Sequence, residues 1–288
     1  MFRFQLERLK TKQKVGSGSF GTVYPYQKGP EDLKWVVKRI RVDDADALLK
    51  SLPEIVLGFS CEHPCVVPIK GYCIQKDSNN ESFNIYMKLP RMKINLLDDF
   101  RNREQKSKPY SEEEIVRYFY SLVSGLEYLH NKRIYHGDIK PNNLLLDGSG
   151  ALKITDVGIA KHVEEGDEYQ TVTEQIGAYQ YLAPEILGAE RKDIKKDVLA
   201  KADIWSLGVV VLELCAFEFR LLNPVDQGTR EKKIQRYLEG FEGKYHNSLT
   251  TLVKRILNSD PQERPDIGQI KDELEKTFSK VLVLRALD

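Results

Sequence analysis

The run His136-Gly137-Asp138-Ile139-Lys140-Pro141-Asn142-Asn143, followed by Leu144-Leu145-Leu146 and then by Thr155-Asp156-Val157-Gly158, constrains this chain more than any other stretch. Asp138 is placed to orient a substrate hydroxyl and accept its proton. Asn143 and Asp156 are the hard oxygen ligands that magnesium takes beside a triphosphate. Either fragment alone is a turn, since Asp, Asn and Gly favour turns for local reasons. In this order and at this spacing they read as the catalytic half of a phosphoryl-transfer site.

The other half is expected upstream. In Val15-Gly16-Ser17-Gly18-Ser19-Phe20-Gly21-Thr22-Val23 the missing Cβ atoms let backbone N–H groups approach phosphate oxygens closely. The residues that follow alternate like a strand and do not open a helix, which argues against a dinucleotide-binding turn. Trp35-Val36-Val37-Lys38 then forms an apolar strand carrying one inward lysine. From Leu9 to Leu89 short strands alternate with one helix, and Asp77 to Ser82 looks like a hairpin loop. Beyond this the pattern turns helical. Ser111-Glu112-Glu113-Glu114 opens a helix as a capping box, and Ile115, Phe119, Leu122, Leu126 and Leu129 recur at helical spacing up to about Asn131.

These motifs together resemble the eukaryotic protein kinases, and the resemblance covers almost the whole chain. It implies an α+β, bilobal fold: a β-rich N-lobe with one helix over 1–89, a hinge at 90–92, a mainly helical C-lobe over 93–288, and an activation segment over 156–185. It implies ATP and Mg2+, with Asp138 as base, Lys140 meeting the transferring phosphate, and Asn143 and Asp156 on the metal. Lys38 then holds the α- and β-phosphates, oriented by Glu54, which stands nine residues before His63-Pro64. Gly16, Ser17, Gly18, Ser19, Gly21, Val23, Val36, Leu89 and Met92 enclose the nucleotide, with Leu89 guarding the back of the adenine pocket. Lys140, two residues after the base, is the serine/threonine-kinase feature. The ending Asp260-Pro261-Gln262-Glu263-Arg264-Pro265 looks like that of NIMA-related kinases. Ala183-Pro184-Glu185 closes the activation segment, Asp203 matches the residue that braces the catalytic loop, and Arg264 matches the partner of Glu185.

Departures from the family pattern carry their own expectations. Gly137 replaces the usual arginine before the base, and Glu174 stands where a phosphorylated residue often sits, so activation by a phosphate clamp is not expected. Ala178 replaces the threonine that bridges the base and Lys140. Gly58 and Val157 replace bulkier members of the stack that also uses Ile69 and His136. Gly58 is therefore expected to leave a gap, and an activating partner packing on the N-lobe helix is expected to compensate for it. Ile159 and Asn142 suggest a threonine-preferring enzyme without a strong need for upstream arginine.

The 288 residues suit one two-lobed catalytic domain. With 44 basic and 43 acidic residues, no global field favours nucleic acid or a membrane. Cys61, Cys65, Cys73 and Cys215 lack a disulfide framework, and the Cys61, His63, Cys65 cluster has no second ligand pair, so a reducing cytoplasmic or nuclear setting is expected. Met1 to Arg8 is too charged for a secretory signal, and the apolar stretch Ile204 to Phe219 reads as a buried helix. Two functions stay open: a serine/threonine kinase acting on protein substrates, and a degenerate kinase fold serving as a nucleotide-responsive signalling scaffold. A small-molecule kinase is disfavoured by the complete activation segment and Arg264.

Overall fold

The computed structural model describes residues 14–18, 21–26, 34–77, 81–157, 161–162, 169–171, 179–187, 193–222 and 227–283. The chain divides into two compact units, residues 1–93 and 94–288.

The first unit is a five-stranded antiparallel sheet with one helix. Its strands are β1 (Gly16–Gly18), β2 (Gly21–Pro25), β3 (Trp35–Val42), β4 (Gly71–Lys76) and β5 (Phe83–Pro90), in the order β1-β2-β3-β5-β4, with α1 (Ala45–Ser60) between β3 and β4. Gly21 turns the β1–β2 hairpin at φ +134°, and a Cβ there would collide with the Arg39 carbonyl, so only glycine fits. The loop from β4 to β5 is closed by the Asp77 N–H donating to the Ser82 carbonyl at 2.9 Å.

Register decides what each face carries. Val23 lies opposite Lys38, Lys38 opposite Met87 and Val36 opposite Leu89, and side chains paired across antiparallel strands share a face. On that face Ile85, Met87 and Ile55 of α1 form a buried cluster with Ile40, Leu48, Leu52 and Ile69 packed around it. Full burial of each such side chain stabilises by roughly 1.5–3 kcal/mol. The opposite face carries Tyr26, Val37 and Tyr86 with Trp35. Asp44 caps α1 by accepting from the Ala47 N–H at 2.7 Å.

The gap expected at Gly58 is absent. Gly58 is buried, and Ile69 Cδ1 lies 2.7 Å from where its Cβ would stand. A larger residue at this position of α1 is unnecessary because the neighbouring isoleucine supplies the volume. The reason for expecting a partner to fill this hole disappears with it, although Leu49, Val56 and Phe59 of α1 are exposed.

The second unit is mainly helical. It begins with β6 (Ile94–Asn95), α2 (Leu96–Gln105) and α3 (Glu112–Asn131). The Ser111 hydroxyl accepts from the Glu114 N–H at 3.2 Å and the Glu114 carboxylate from the Ser111 N–H at 2.9 Å, so the expected capping box forms. Ile115, Phe119, Leu122, Leu126 and Leu129 are all fully buried along α3. Short strands follow: β7 (Ile134–Tyr135), β8 (Leu144–Leu146), β9 (Leu152–Ile154), β10 (Lys161–His162) and β11 (Tyr169–Thr171). β6, β8 and β9 form one sheet, and β10 pairs with β7. Then come α4 (Pro184–Leu187), β12 (Asp193–Lys195), α5 (Lys196–Ala216), α6 (Gln227–Glu239), α7 (Asn247–Ile256) and α8 (Ile267–Val283).

Residues 203–215 of α5 are buried without interruption, as the apolar stretch predicts. α5 packs against α3 and α7. At Gly208 a Cβ would strike the side chains of Ile256 and Leu257, so this glycine sets how closely α7 approaches. No helix among the described residues is long and apolar enough to cross a membrane.

Candidate active site

The loop between β7 and β8 carries Asp138, Lys140 and Asn143, the last in a 3-10 turn at Pro141–Asn143. Asp203, from the first half of α5, fixes the loop from below. Its carboxylate accepts from the backbone N–H of His136 and of Gly137, each at 2.8 Å, and lies 2.9 Å from His130 Nε2. Burial alone would raise the pKa of this carboxyl. The hydrogen bond and charge of His130 and the Gly137 N–H outweigh it and hold the group below its ordinary value. Held this way, Gly137 takes φ +72°, with no heavy atom within 4 Å of where a Cβ would be. The glycine thus relieves backbone strain, not crowding.

His136 ties the loop to the next segment. Its fully buried ring sets Nε2 2.9 Å from the Thr155 carbonyl, while Nδ1 accepts from the Asp138 N–H at 3.2 Å. Those two partners assign the neutral tautomer with hydrogen on Nε2. The Thr155 N–H in turn donates to the Asn143 carbonyl at 3.0 Å. Through these bonds Asp156, next in the chain, is anchored beside the loop, at φ +63°, a conformation Asp tolerates better than most residues.

Asp138 is held from two sides. Lys140 Nζ lies 2.9 Å from Oδ1 and 2.7 Å from Oδ2, and the Asn143 amide nitrogen donates to Oδ2 at 2.7 Å and to the Asp138 carbonyl at 2.9 Å. Fixing the amide by its nitrogen leaves its oxygen, the atom magnesium takes, for a cation. Among the described residues no three His, Cys, Asp or Glu side chains form a closed metal cage. A site of two protein oxygens completed by phosphate and water is how magnesium is commonly held, so the residues present fit it.

In the first unit, Val23, Val36, Lys38 and Leu89 share one sheet face, with Lys38 8% exposed. Gly16, Gly18 and Gly21 pair in the β1–β2 hairpin. Met92 is partly buried just past β5, next to Arg91, whose N–H donates to the Lys34 carbonyl at 2.7 Å. The Glu54 and Ser17 side chains, Ser19, Ile159, Glu174 and Ala178 lie outside the described residues.

The ion pair expected between Glu185 and Arg264 is present. Arg264 donates to the Glu185 carboxylate through both terminal nitrogens, at 2.6 and 2.7 Å. Sequence reasoning did not single out His130, Thr155 or Arg230 as supports of the site. His130 sits six residues before His136 at the end of α3, and nothing in its neighbours signals that it faces Asp203.

The model of the protein kinase domain family matches residues 9–274. The chain belongs to the protein kinase family. Among its relatives, "Probable serine/threonine-protein kinase nek1" of Dictyostelium discoideum is 30% identical over 94% of this chain and 56% of its own length. "Serine/threonine-protein kinase Nek11" of Mus musculus is 30% identical over 91% of this chain and 40% of its own. "CBL-interacting serine/threonine-protein kinase 8" of Arabidopsis thaliana is 32% identical over 84% and 49%. This kinase chain thus spans about half the length of the curated relatives it matches, and its likeness to Nek proteins agrees with the NIMA-related resemblance. The two units, a β-sheet with one helix and a mainly helical body, are those of the bilobal kinase fold.

Proposed function

We propose that this chain transfers the γ-phosphate of ATP to serine or threonine hydroxyls of protein substrates, in a reducing compartment of the cell. The observation that carries the reading is the Asp138 carboxylate held between Lys140 and Asn143 on a backbone clamped by Asp203. Family membership and the serine/threonine-kinase names of the relatives support it.

In this reading Asp138 orients the acceptor hydroxyl and takes its proton as the bond to phosphorus forms. Lys140 balances negative charge on the transferring group, and Lys38 binds the α- and β-phosphates with Glu54 as its counter-ion. Asn143 and Asp156 hold magnesium, which neutralises phosphate charge when bound. The scaffold alternative rests on Gly137, Gly58, Val157 and Ala178, and of these Gly58 no longer counts toward it, because Ile69 occupies the space beside it.

Transfer of labelled γ-phosphate to a protein substrate, with wild type beside Asp138→Asn, tests the proposal. Loss of the base should cost roughly a hundredfold or more in turnover. Equal activity of the two proteins, or none in the wild type with magnesium and ATP, overturns it.

A further inference from the structure

Between Asp156 and Glu185 the chain needs something to fix the middle of the segment. In the family pattern a phosphorylated residue docks there on an arginine before the base, and Glu174 and Gly137 take those two places in this chain. The structure supplies a different fastening. β11 runs antiparallel to β12, with Tyr169 opposite Lys195, Gln170 opposite Ile194 and Thr171 opposite Asp193.

What lies under this ladder gives it leverage. β12 ends at Lys195 and runs straight into α5, which begins at Lys196. From α5, Asp203 accepts from the backbone N–H groups of His136 and Gly137, and the Ser206 hydroxyl donates to the Tyr181 carbonyl at 2.7 Å. The catalytic loop, the end of the segment and, through β12, its middle are therefore all tied to one helix, buried without a break over 203–215. The start of the segment is laid against the strand that leads into the catalytic loop, with Lys161 opposite Tyr135 and His162 opposite Ile134. Two strands of three residues are marginal by themselves, so continuity with α5 is what makes the pairing rigid. Charge along the sequence favours it too. Glu164, Glu165, Asp167 and Glu168 precede β11, whereas 191–196 carries Arg191, Lys192, Lys195 and Lys196 with Asp193 as its one acid, and opposite signs draw the two arms together.

We propose that the β11–β12 ladder holds the middle of the activation segment in register with the catalytic loop without any phosphate, which makes Asp193 to Lys195 positioning residues for the protein substrate. The effect on turnover rests on the kinase reading; the ladder itself does not. The charge run from Lys192 to Lys196 thereby gains a role beyond that of a solvated loop.

Successive N–H groups of an antiparallel strand alternate between facing the partner and facing away, so one of Gln170→Pro and Thr171→Pro must delete a ladder bond. The full chain is compared as wild type, as these two variants, and as the double variant Gln170→Cys with Ile194→Cys, whose directly opposite positions suit a disulfide. Wild type treated with the same oxidant controls for Cys61, Cys65, Cys73 and Cys215. Hydrogen exchange over 169–171 and 193–195 reads the ladder, kcat and KM for a protein substrate read its effect, and the melting-temperature rise with magnesium and ATP reads nucleotide binding. In at least one proline variant, exchange should quicken and KM should rise, each about tenfold, with a smaller change in kcat and an unchanged nucleotide shift. Phosphatase-treated wild type should keep its protection and its KM. The cysteine pair, closed by oxidised glutathione, should keep the wild-type KM. Exchange as slow as wild type in both proline variants, quickened exchange with an unchanged KM, or protection lost on dephosphorylation overturns the inference. So does a cysteine pair that fails to close, or one inactive until dithiothreitol opens it, since the ladder would then be a brake. If both proline variants unfold, the cysteine pair decides alone. A wild type that transfers no phosphate sinks the kinase reading, while exchange still judges the ladder.

Discussion

Ile69 stands where a side chain on Gly58 would go, with its Cδ1 2.7 Å from the site of the missing Cβ. Because that atom is the tip of a movable side chain, Gly58→Ala should be nearly neutral: a small shift of Ile69 offset by a helix-propensity gain of about 1 kcal/mol. Gly58→Leu overpacks the cluster and should lower stability by about 1–3 kcal/mol, partly restored by Ile69→Val. Denaturant titration of the two single variants and the pair checks this. A leucine variant as stable as wild type would mean the space is larger than described.

The clamp on the catalytic loop has a backbone signature. At φ +72° any L side chain at position 137 is strained even though open space surrounds it. Gly137→Ala should therefore cost about 1 kcal/mol, and Gly137→Arg a similar amount, since size is not the obstacle. Asp203→Ala strips acceptors from two buried N–H groups and should cost about 3 kcal/mol or more. If Gly137→Arg proved far worse than Gly137→Ala, crowding and not torsion would be the cause.

Acidity should tune stability through Glu213. Its folded value is raised to about 8 from an ordinary 4.5, so between those limits the folded state keeps a proton that the unfolded chain has released. This contribution is complete below pH 4.5, shrinks as pH rises, and is gone above about 8, with a slope of at most about 1.4 kcal/mol per unit. Urea melts at several pH values from 5 to 9 should show wild type losing stability relative to Glu213→Gln as pH rises. Parallel curves would exclude this assignment.

Nucleotide binding can be separated from turnover. Magnesium and ATP should raise the melting temperature of wild type, because a ligand that binds only the folded state stabilises it by about 2.7 kcal/mol at a hundred times its Kd. Asp156→Asn should lose the magnesium-dependent part of the shift, and Lys38→Met should weaken the whole of it. Shifts identical to wild type in both variants would remove these residues from the site.

Much of the molecule was legible because its signals are local. The capping box at Ser111 and Glu114 lies within four residues, and the period of Ile115 to Leu129 directly gives the buried face of α3. Lys38 on the α1-covered face follows from strand alternation once β3 is placed. What was illegible depends on distant partners. Ile69 filling the space at Gly58, His130 reaching Asp203, and Arg230 reaching the carbonyls of Gln180 and Leu182 are tertiary encounters that no spacing along the chain announces. Gly58 was misread because a missing side chain was equated with a missing volume.

The unbroken burial of 203–215 bears on how the chain is made. A ribosome completes α5 before α7, which closes over Gly208, and the end of α7 comes about 40 residues later. At roughly 5–20 residues per second the apolar rod waits about two to eight seconds for its cover. During that interval the nascent chain is a natural client for a holding chaperone, and synthesis arrested between α5 and α7 should yield an aggregating fragment.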